Sequence, residues 1–291
     1  MTTCQLCGQT TVESNTALSI IDYSVTGETF TLTKCNNCEA WRTNIQQLKN
    51  LDKYYESTDY ASHHLNPYNP IHLIYKFARY FTTRSKIGLI KQFSKANTVL
   101  DYGCGTGNFL ATLERAGFKV KGLEPNAKAR DYANWLTKGK VITSLTELTE
   151  TYDVITLWHV LEHTYNPLET LKLLKNQLNK EGKIIIAVPN YKSKDAAIYQ
   201  QHWAGYDVPR HLWHFTQKTI DTLAVANELK VTRVIPMKLD SFYVSLLSEK
   251  YKASNKQGLS QLIRAIKSGW QSNQSARITG EYSSLIYVLA K

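Results

Sequence analysis

The residues of this sequence that are best suited to chemistry form a glycine-rich turn followed by a carboxylate. Residues 99–109 read Val-Leu-Asp-Tyr-Gly-Cys-Gly-Thr-Gly-Asn-Phe, which predicts a buried strand, a turn and the start of a helix. Gly103, Gly105 and Gly107 have no Cβ and tolerate positive φ, so the backbone can approach a polar ligand closely. Glu124 ends the next predicted strand, where its carboxylate can accept two hydrogen bonds from ribose hydroxyls. The pattern therefore predicts that the chain binds an adenosine compound.

The spacing of the glycines narrows the class of ligand. Nicotinamide- and flavin-binding folds use G-x-G-x-x-G/A, whereas this chain has G-x-G-x-G with Asn108 in the position that should hold a small residue. No G-K-[ST] follows the turn, which excludes a P-loop. The turn by itself leaves two alternatives open, another nucleotide or an ordinary tight turn without a ligand.

The turn and its carboxylate resemble motif I and the acidic ribose-binding position of class I S-adenosylmethionine (SAM)-dependent methyltransferases. The resemblance extends over residues 96–291. It implies that the turn contacts the amino-acid half of SAM, that Glu124 holds the ribose and that Ser144 and Leu145 flank the adenine. Cys104 is interpreted as a small filler rather than a nucleophile. The implied cofactor contacts are Asp101, Gly103, Cys104, Gly105, Gly107, Glu124, Pro125, Ser144, Leu145, His159 and Val160.

The elements that must position these residues alternate between strand and helix, which indicates an α/β fold with a parallel sheet and crossover helices. We expect a Rossmann-like, seven-stranded, mostly parallel sheet with helices on both faces. The resemblance implies that the last strand is antiparallel. Strands are predicted near residues 97–102, 119–124, 140–143, 152–158, 183–188, 230–236 and 282–290, and helices near 107–117, 126–138, 167–179 and 217–228, with two more within 240–279.

The fourth strand runs into Trp158-His-Val-Leu-Glu-His163. This stretch resembles methyltransferases related to the ubiquinone-biosynthesis O-methyltransferases, in which L-E-H follows the strand, and it implies that His159 faces the methionine part of SAM. Some of those enzymes have an acidic group at the first position that helps to hold a divalent metal. Because that position is His159 here, we do not expect that metal. The same run matches the H-x-x-E-H pattern of inverted zinc proteases, but that pattern needs a helix and a strand ends within it.

A long insertion after the fifth strand ends in Asp-Val-Pro-Arg-His-Leu-Trp-His-Phe-Thr, residues 207–216. It resembles a P-R-H-x-x-H-F-[ST] segment in one large methyltransferase group, which implies that it overhangs the active site. His211 is our first candidate for a general base and His159 the second, because imidazole titrates near neutral pH. A substrate that ionises readily needs no base. Arg210 and His214 are expected to contact the substrate, although His214 and Thr216 could simply cap the next helix.

Four cysteines near the N-terminus form two C-x-x-C pairs. Cys4, Cys7, Cys35 and Cys38 can supply four thiolates to a closed tetrahedral site, which predicts structural Zn²⁺. The alternatives are a redox pair or unconnected buried cysteines. The segments between the two pairs suggest a hairpin around Thr26-Gly27, so residues 1–45 are expected to form a separate, zinc-ribbon-like module.

Residues 46–95 are expected to form a helical linker between that module and a methyltransferase domain at 96–291. Their tyrosine-rich start includes Tyr55, a candidate substrate contact in a lid over the cofactor; the alternative is plain packing. The segment 71–93 has the pattern of a basic amphipathic helix, which could rest on a membrane surface but is expected to pack on the catalytic domain.

The formal net charge of +11 comes from two blocks, 71–95 and 250–277, each with six basic residues and no acidic one. Such blocks indicate an acidic partner or simply two solvated helix faces. No apolar run is long enough to span a membrane and the N-terminus lacks the features of a signal peptide. Together with the paired cysteines, this predicts a cytoplasmic protein.

The leading prediction for function is methyl transfer to a small molecule, and chains that combine zinc hooks with a methyltransferase resemble sugar modifiers. A nucleotide-linked sugar or polysaccharide precursor is therefore the first expected substrate. The alternatives are an RNA or protein methyltransferase and a non-catalytic SAM-binding interaction protein. The cysteine module is poor in basic residues, no N/D-P-P-[YFW] motif follows the fourth strand, and both the glycine turn and Glu124 are present. These features favour the small-molecule enzyme.

Overall fold

Two β-sheets organise the molecule, a seven-stranded central sheet and a four-stranded sheet near the N-terminus. The structure is a computed structural model, and it describes residues 2–11, 17–46, 48, 50–55, 82–93, 97–253 and 258–291. The predicted lid beyond Tyr55 and most of the predicted helix at 71–93 lie outside the described residues.

The N-terminal part is a small β-structure. Strands β1 and β2 pair as a two-stranded ribbon, β3 and β4 form the predicted hairpin around Gly27, and β5 pairs with β4. A 3₁₀ turn follows at Asp52–Tyr55. The strands are β1 Thr2–Thr3, β2 Thr10–Thr11, β3 Ala17–Ile21, β4 Thr29–Lys34 and β5 Trp41–Thr43.

A helix, α1, at residues 82–91 leads into the central sheet. Its buried Ile87 and Ile90 pack against strand residues including Val99 and Val154. The described part of the predicted amphipathic helix therefore packs on the sheet, as expected. Within the described residues, no helix combines the length and the apolar character that crossing a bilayer requires.

The rest of the chain alternates strand and helix as predicted. The elements are β6 Thr98–Tyr102, α2 Asn108–Arg115, β7 Lys119–Leu123, α3 Ala127–Thr137, β8 Val141–Ile142, β9 Tyr152–Trp158, α4 Pro167–Asn176, β10 Leu178–Pro189, α5 Lys194–Tyr199, β11 Trp213–His214, α6 Gln217–Ala226, β12 Lys230–Pro236, α7 Asp240–Lys252, α8 Leu259–Thr279 and β13 Ser284–Ala290.

The central sheet has the strand order β12-β13-β10-β9-β6-β7-β8. β13 runs antiparallel to both β10 and β12, whereas the pairings from β10 to β8 are parallel. Ile184, Ile185 and Ile186 of β10 are all buried, as expected when helices cover both faces of a sheet. The predicted α/β fold class and the antiparallel last strand are confirmed.

The insertion between β10 and α6 departs from the sequence prediction. It contains α5, and its strand β11 pairs with β5, so that an insertion of the catalytic part completes the N-terminal four-stranded sheet. Thr43 strengthens this junction, because its backbone N–H donates to the Leu212 carbonyl at 2.9 Å. Residues 1–45, predicted as a separate unit, therefore share a sheet with the catalytic part. A two-residue strand leaves too little pattern to be found from sequence.

Candidate active site

The glycine turn after β6 has the predicted conformation. Gly103, Gly105 and Gly107 have φ angles of +74°, +54° and +72°. A Cβ on Gly103 would lie 2.6 Å from a Val160 methyl, whereas a Cβ on Gly105 would meet no atom within 4 Å. Val160 thus packs over the first glycine, and the second faces open space. That open space is a cradle in which a ligand can touch bare backbone.

Glu124 lies at the end of β7 with its carboxylate against this turn. One carboxylate oxygen accepts a hydrogen bond from the Gly105 N–H at 2.8 Å, and the other accepts one from the Asn126 N–H at 2.9 Å. Arg130 donates to the Glu124 and Pro125 carbonyls at 3.0 and 2.9 Å, which fixes the start of α3. The side chain expected to hold ribose is therefore present beside the cradle and oriented by backbone donors.

Asp101, two residues before the first glycine, is a buried carboxyl. The Thr156 hydroxyl donates to it at 2.7 Å. Burial raises the pKa of Asp101 to about 7, although the Thr156 hydrogen bond and the positive charge of Lys86 oppose the rise. A cation that binds next to Asp101 would lower this pKa and so favour the ionised carboxylate.

The other predicted cofactor contacts surround the same edge of the sheet. Cys104 is buried. A Cβ placed on Gly122 would lie 2.7 Å from the Cys104 sulfur, so the side chain fills the space beside that glycine. Burial raises the pKa of the Cys104 thiol, which agrees with a filler and not a nucleophile. Ser144 caps the 3₁₀ turn that begins at Leu145, and Glu147 accepts hydrogen bonds from the Thr143 and Ser144 N–H groups at 2.9 Å. Sequence analysis did not single out Glu147.

His159 follows β9 with a φ of +56°, which is uncommon for a residue other than glycine. Its Nδ1 lies 3.3 Å from a Glu162 carboxylate oxygen and its Nε2 lies 3.4 Å from one of Asp240. Burial alone would lower the pKa of His159, but these two carboxylates raise it to about 9. A protonated imidazole cannot accept a proton, so the structure argues against His159 as a base.

The rings of His211 and His163 meet edge to face beside the buried carboxylate of Glu162. Their ring centroids are 4.7 Å apart, and potential ligand atoms of Glu162, His163 and His211 all lie within 4.8 Å of one another. Burial lowers the pKa of His163 to about 4, so its ring is neutral. The Tyr55 ring centroid lies 6.5 Å from that of His163, which places this predicted substrate contact beside the cluster.

Arg210, predicted as a substrate contact, is held by partners within the chain. Its side chain is 4% exposed. It donates to both carboxylate oxygens of Asp207 at 2.9 and 2.5 Å, to the Tyr54 carbonyl at 2.9 Å and to Asp22 at 3.4 Å. These partners engage all three guanidinium nitrogens, so Arg210 ties the β3–β4 hairpin to the insertion.

His214, also predicted as a substrate contact, is buried. Its Nε2 lies 3.0 Å from the Thr43 hydroxyl, and that hydroxyl also donates to the His211 carbonyl at 2.7 Å. Thr216 caps α6 by accepting a hydrogen bond from the Thr219 N–H at 3.2 Å, which confirms the capping alternative for Thr216 but not for His214.

The four N-terminal cysteines converge. The sulfur atoms of Cys4 and Cys38 are 3.8 Å apart, those of Cys7 and Cys35 are 3.7 Å apart, and all four lie within 4.8 Å of one another. Zn–S bonds of 2.3 Å in a tetrahedron separate the sulfurs by about 3.8 Å. The cluster has the dimensions of a closed four-thiolate metal site.

Comparison with known proteins identifies the family. The family model for a methyltransferase domain matches residues 72–234, more than half of the chain. The chain belongs to the class I SAM-dependent methyltransferases.

Individual relatives agree with this methyltransferase assignment. The chain is 30% identical to the ubiquinone biosynthesis O-methyltransferase of Actinobacillus pleuropneumoniae serotype 5b (strain L20) and 26% identical to that of serotype 7 (strain AP76). Each match extends over 204 residues, 65% of this chain and 85% of the relative. The crystal structure of a SAM dependent methyltransferase from Archaeoglobus fulgidus has a TM-score of 0.51 and 18% identity, and covers 77% of this chain and 100% of that one. The structural likeness concerns the fold.

Besides Glu147, sequence analysis did not single out Lys86 and Asp240. Lys86 of α1 places its ammonium 4.3 Å from the centre of the Trp158 ring and influences Asp101. Asp240, at the start of α7, pairs with His159. Lys86 was visible only as one member of a basic block, and nothing in the local sequence of Asp240 marks it.

Proposed function

We propose that this chain transfers the methyl group of SAM to an oxygen atom of a small molecule. The observation that carries the proposal is the open cradle at Gly105, with Glu124 on one side and the histidine cluster at the end of the neighbouring strand. The relatives named O-methyltransferases support oxygen as the methylated atom.

The residues around the cradle fit the parts of SAM. Glu124 can exchange its hydrogen bond from Gly105 for bonds from two ribose hydroxyls, and this frees the Gly105 N–H for the ligand. Asp101 lies on the amino-acid side of the turn, where its carboxylate can face the ligand's ammonium group. Ser144 and Leu145, after β8, are assigned to the adenine.

SAM supplies a sulfonium methyl group, which passes to the nucleophile while the electrons of the broken C–S bond stay on sulfur. The residues of the chain must hold the nucleophile, the methyl carbon and the sulfur in line. This alignment alone can lower the barrier by ~7–11 kcal/mol. His211 is the proposed base. Its Nδ1 donates to the Gly205 carbonyl at 2.9 Å, so a neutral ring presents the Nε2 lone pair.

A nucleotide-linked sugar or polysaccharide precursor is the substrate class we propose, with the reaction in the cytoplasm. The α7–α8 pair reaches the site through Asp240, and the chain from 250 to 277 carries basic residues and no acidic ones, as a diphosphate would require. The free cysteines support a reducing compartment.

We also propose that Cys4, Cys7, Cys35 and Cys38 hold one structural Zn²⁺.

Calorimetric titration with S-adenosylhomocysteine tests the cofactor site. Glu124→Ala should weaken binding by about 1–3 kcal/mol, because a hydrogen-bonded carboxylate is removed. Glu114→Ala is the matched control, since Glu114 lies on α2 with its side chain 39% exposed, and it should bind as the wild type does. Absence of binding to the wild-type chain would overturn the proposed function.

Transfer of tritiated methyl groups into a fractionated extract tests the substrate class. Label in a phosphorylated small-molecule fraction, lost after phosphodiesterase treatment, is the expected result. Label in RNA or protein would contradict the small-molecule proposal, while label in a neutral, unphosphorylated product would contradict only the nucleotide-sugar assignment.

A further inference from the structure

Helix α8 carries its large apolar side chains on its outer face. The face that packs inward is made of small buried residues, including Ala265, Ser268, Gly269 and Ser272. The outer face carries five large apolar residues that are between 37% and 74% exposed, namely Leu259, Leu262, Ile263, Ile266 and Trp270. A surface helix ordinarily turns such residues towards the core and polar residues towards water. The reversed arrangement predicts a partner for the outer face of α8.

The inner face of α8 needs small residues because α7 approaches it closely. A Cβ on Gly269 would lie 2.7 Å from a ring carbon of Phe242 and 2.9 Å from its Cα. The Ser241 hydroxyl donates to the Gly269 carbonyl at 3.1 Å. These contacts leave no room between the helices for large side chains. Helix α8 therefore cannot rotate to bury its exposed apolar residues against α7.

The five exposed residues form one continuous surface, which we call the apolar stripe. They recur at spacings of three and four residues, so they share one face of the helix over a length of about 16 Å. At their exposed fractions they leave roughly 600 Å² open to water, at the upper end of the largest patch on a typical monomer. Two copies that cover each other's stripe would bury about 1,200 Å² in total, which reaches the size of a specific interface.

The apolar stripe is complementary to itself. When two α8 helices run antiparallel about a two-fold axis between positions 264 and 265, Leu259 of one copy lies opposite Trp270 of the other, and Ile263 lies opposite Ile266. A shorter side chain then meets the longest one at each end, and two β-branched side chains meet at the centre. We infer that the apolar stripe is the interface of a homodimer in which the two α8 helices pack antiparallel.

The charges on α8 favour a second copy over an anionic lipid surface. A helix that lies on anionic lipid carries a polar face rich in lysine and arginine beside its apolar face. Between positions 259 and 270 the basic residues are Arg264 and Lys267, and Arg264 is held by the Glu249 carboxylate at 2.9 Å. In the antiparallel pair Lys267 lies opposite Leu262, where its aliphatic stem can pack while its ammonium group reaches water. The two copies therefore do not oppose rows of like charges.

Size-exclusion chromatography with light scattering tests the interface. At micromolar concentration the full-length chain should have twice the mass of one chain. Ile263→Glu and Ile266→Lys should each raise the dimer dissociation constant by more than about twentyfold, because a charge enters the centre of the apolar contact. Val225→Glu is the matched control, since Val225 lies on α6 and is exposed to the same extent as Leu259, and it should dimerise as the wild type does.

An equimolar mixture of Ile263→Glu and Ile266→Lys tests the antiparallel pairing. The introduced carboxylate of one copy then lies opposite the introduced ammonium group of the other, so the mixture should recover dimers that neither variant forms alone. Circular dichroism with the helix content of the wild type shows that both variants are folded.

Three results would overturn the interface: a monomeric wild type, unchanged dimerisation in both single variants, or a mixture that recovers no dimer. A monomeric wild type that sediments with phosphatidylglycerol vesicles, and loses this property in Ile263→Glu, would assign the apolar stripe to lipid instead. None of these measurements uses the cofactor, so the interface and the proposed function are tested separately.

Discussion

Gly105 and Gly139 have a similar backbone but different surroundings, which makes them a matched pair. Both have positive φ, +54° and +80°, and neither would place a Cβ within 4 Å of another atom. Alanine at either position should lower the free energy of unfolding by about 1–2 kcal/mol, because left-handed backbone is unfavourable for a residue with a Cβ. Gly105→Ala should also abolish S-adenosylhomocysteine binding, whereas Gly139→Ala should not. Equal ligand binding by both variants in calorimetry would show that the cradle does not touch the cofactor.

Asp101 gives the pH dependence of cofactor binding. Because burial raises its pKa to about 7, the folded chain holds a proton there that the unfolded chain has lost. Stability therefore falls as pH rises from the ordinary aspartate pKa to about 7. A cation that binds beside Asp101 favours the ionised form, so SAM affinity should rise between about pH 5 and 7. Titrations across this range should show the rise in the wild type and a flat, weaker affinity in Asp101→Asn. A flat wild-type profile would contradict the proposed contact.

Individual residues differ in how far the sequence could assign them. Gly103, Gly105 and Glu124 were identified correctly as one constellation because a local pattern and a short spacing place them together. Arg210 and His214 were predicted to contact substrate, and their sequence motif does not reveal the distant partners that hold both side chains in the structure. Those partners, Asp22 and Thr43, lie more than a hundred residues away and bury both side chains.

At the scale of secondary-structure elements, Arg210 connects the β3–β4 hairpin to the insertion between β10 and α6. Replacing it with lysine removes the fork that engages Asp207, Asp22 and the Tyr54 carbonyl, and it leaves buried acceptors unpaired. Arg210→Lys should lower the free energy of unfolding in urea by about 1–3 kcal/mol, because lysine keeps the charge but leaves buried acceptors unpaired. Arg264→Lys should change it by less than about 1 kcal/mol, since Arg264 is 53% exposed. A raised KM with unchanged stability in Arg210→Lys would instead restore Arg210 as a substrate contact.

Most elements of the central sheet could be predicted because each carries its own periodic pattern. Asn166 before Pro167 marked the start of α4, and Asn166 does cap that helix. The strand β11 could not be predicted, because it is two residues long and exists only through its pairing with β5. A contact between distant segments leaves no periodicity in either of them.

In the molecule as a whole, hydrogen bonds and a shared apolar core connect the N-terminal residues 1–45 to the histidine cluster of His163 and His211. Cys38 accepts a hydrogen bond from the Thr219 hydroxyl through its carbonyl at 2.8 Å, and Thr43 binds the carbonyls of His211 and Leu212. Leu6 and the buried cysteines belong to the same apolar core as Leu161, which precedes Glu162. The fold of the module therefore supports the loop that carries His211.

Removal of the proposed Zn²⁺ tests this connection. A chelator strong enough to extract the ion from the four cysteines should lower the melting temperature, because metal binding contributes to folding of the module. It should also reduce methyl transfer by releasing β11 and His211, while S-adenosylhomocysteine binding stays close to that of the untreated chain. The cofactor residues lie at the ends of β6 and β7, which pair with each other and with β9 and β8 but not with β5. Restoring Zn²⁺ should recover transfer. Parallel loss of transfer and cofactor binding would show that the two parts unfold together, and full activity of the zinc-free chain would show that the cysteine module does not position the histidines.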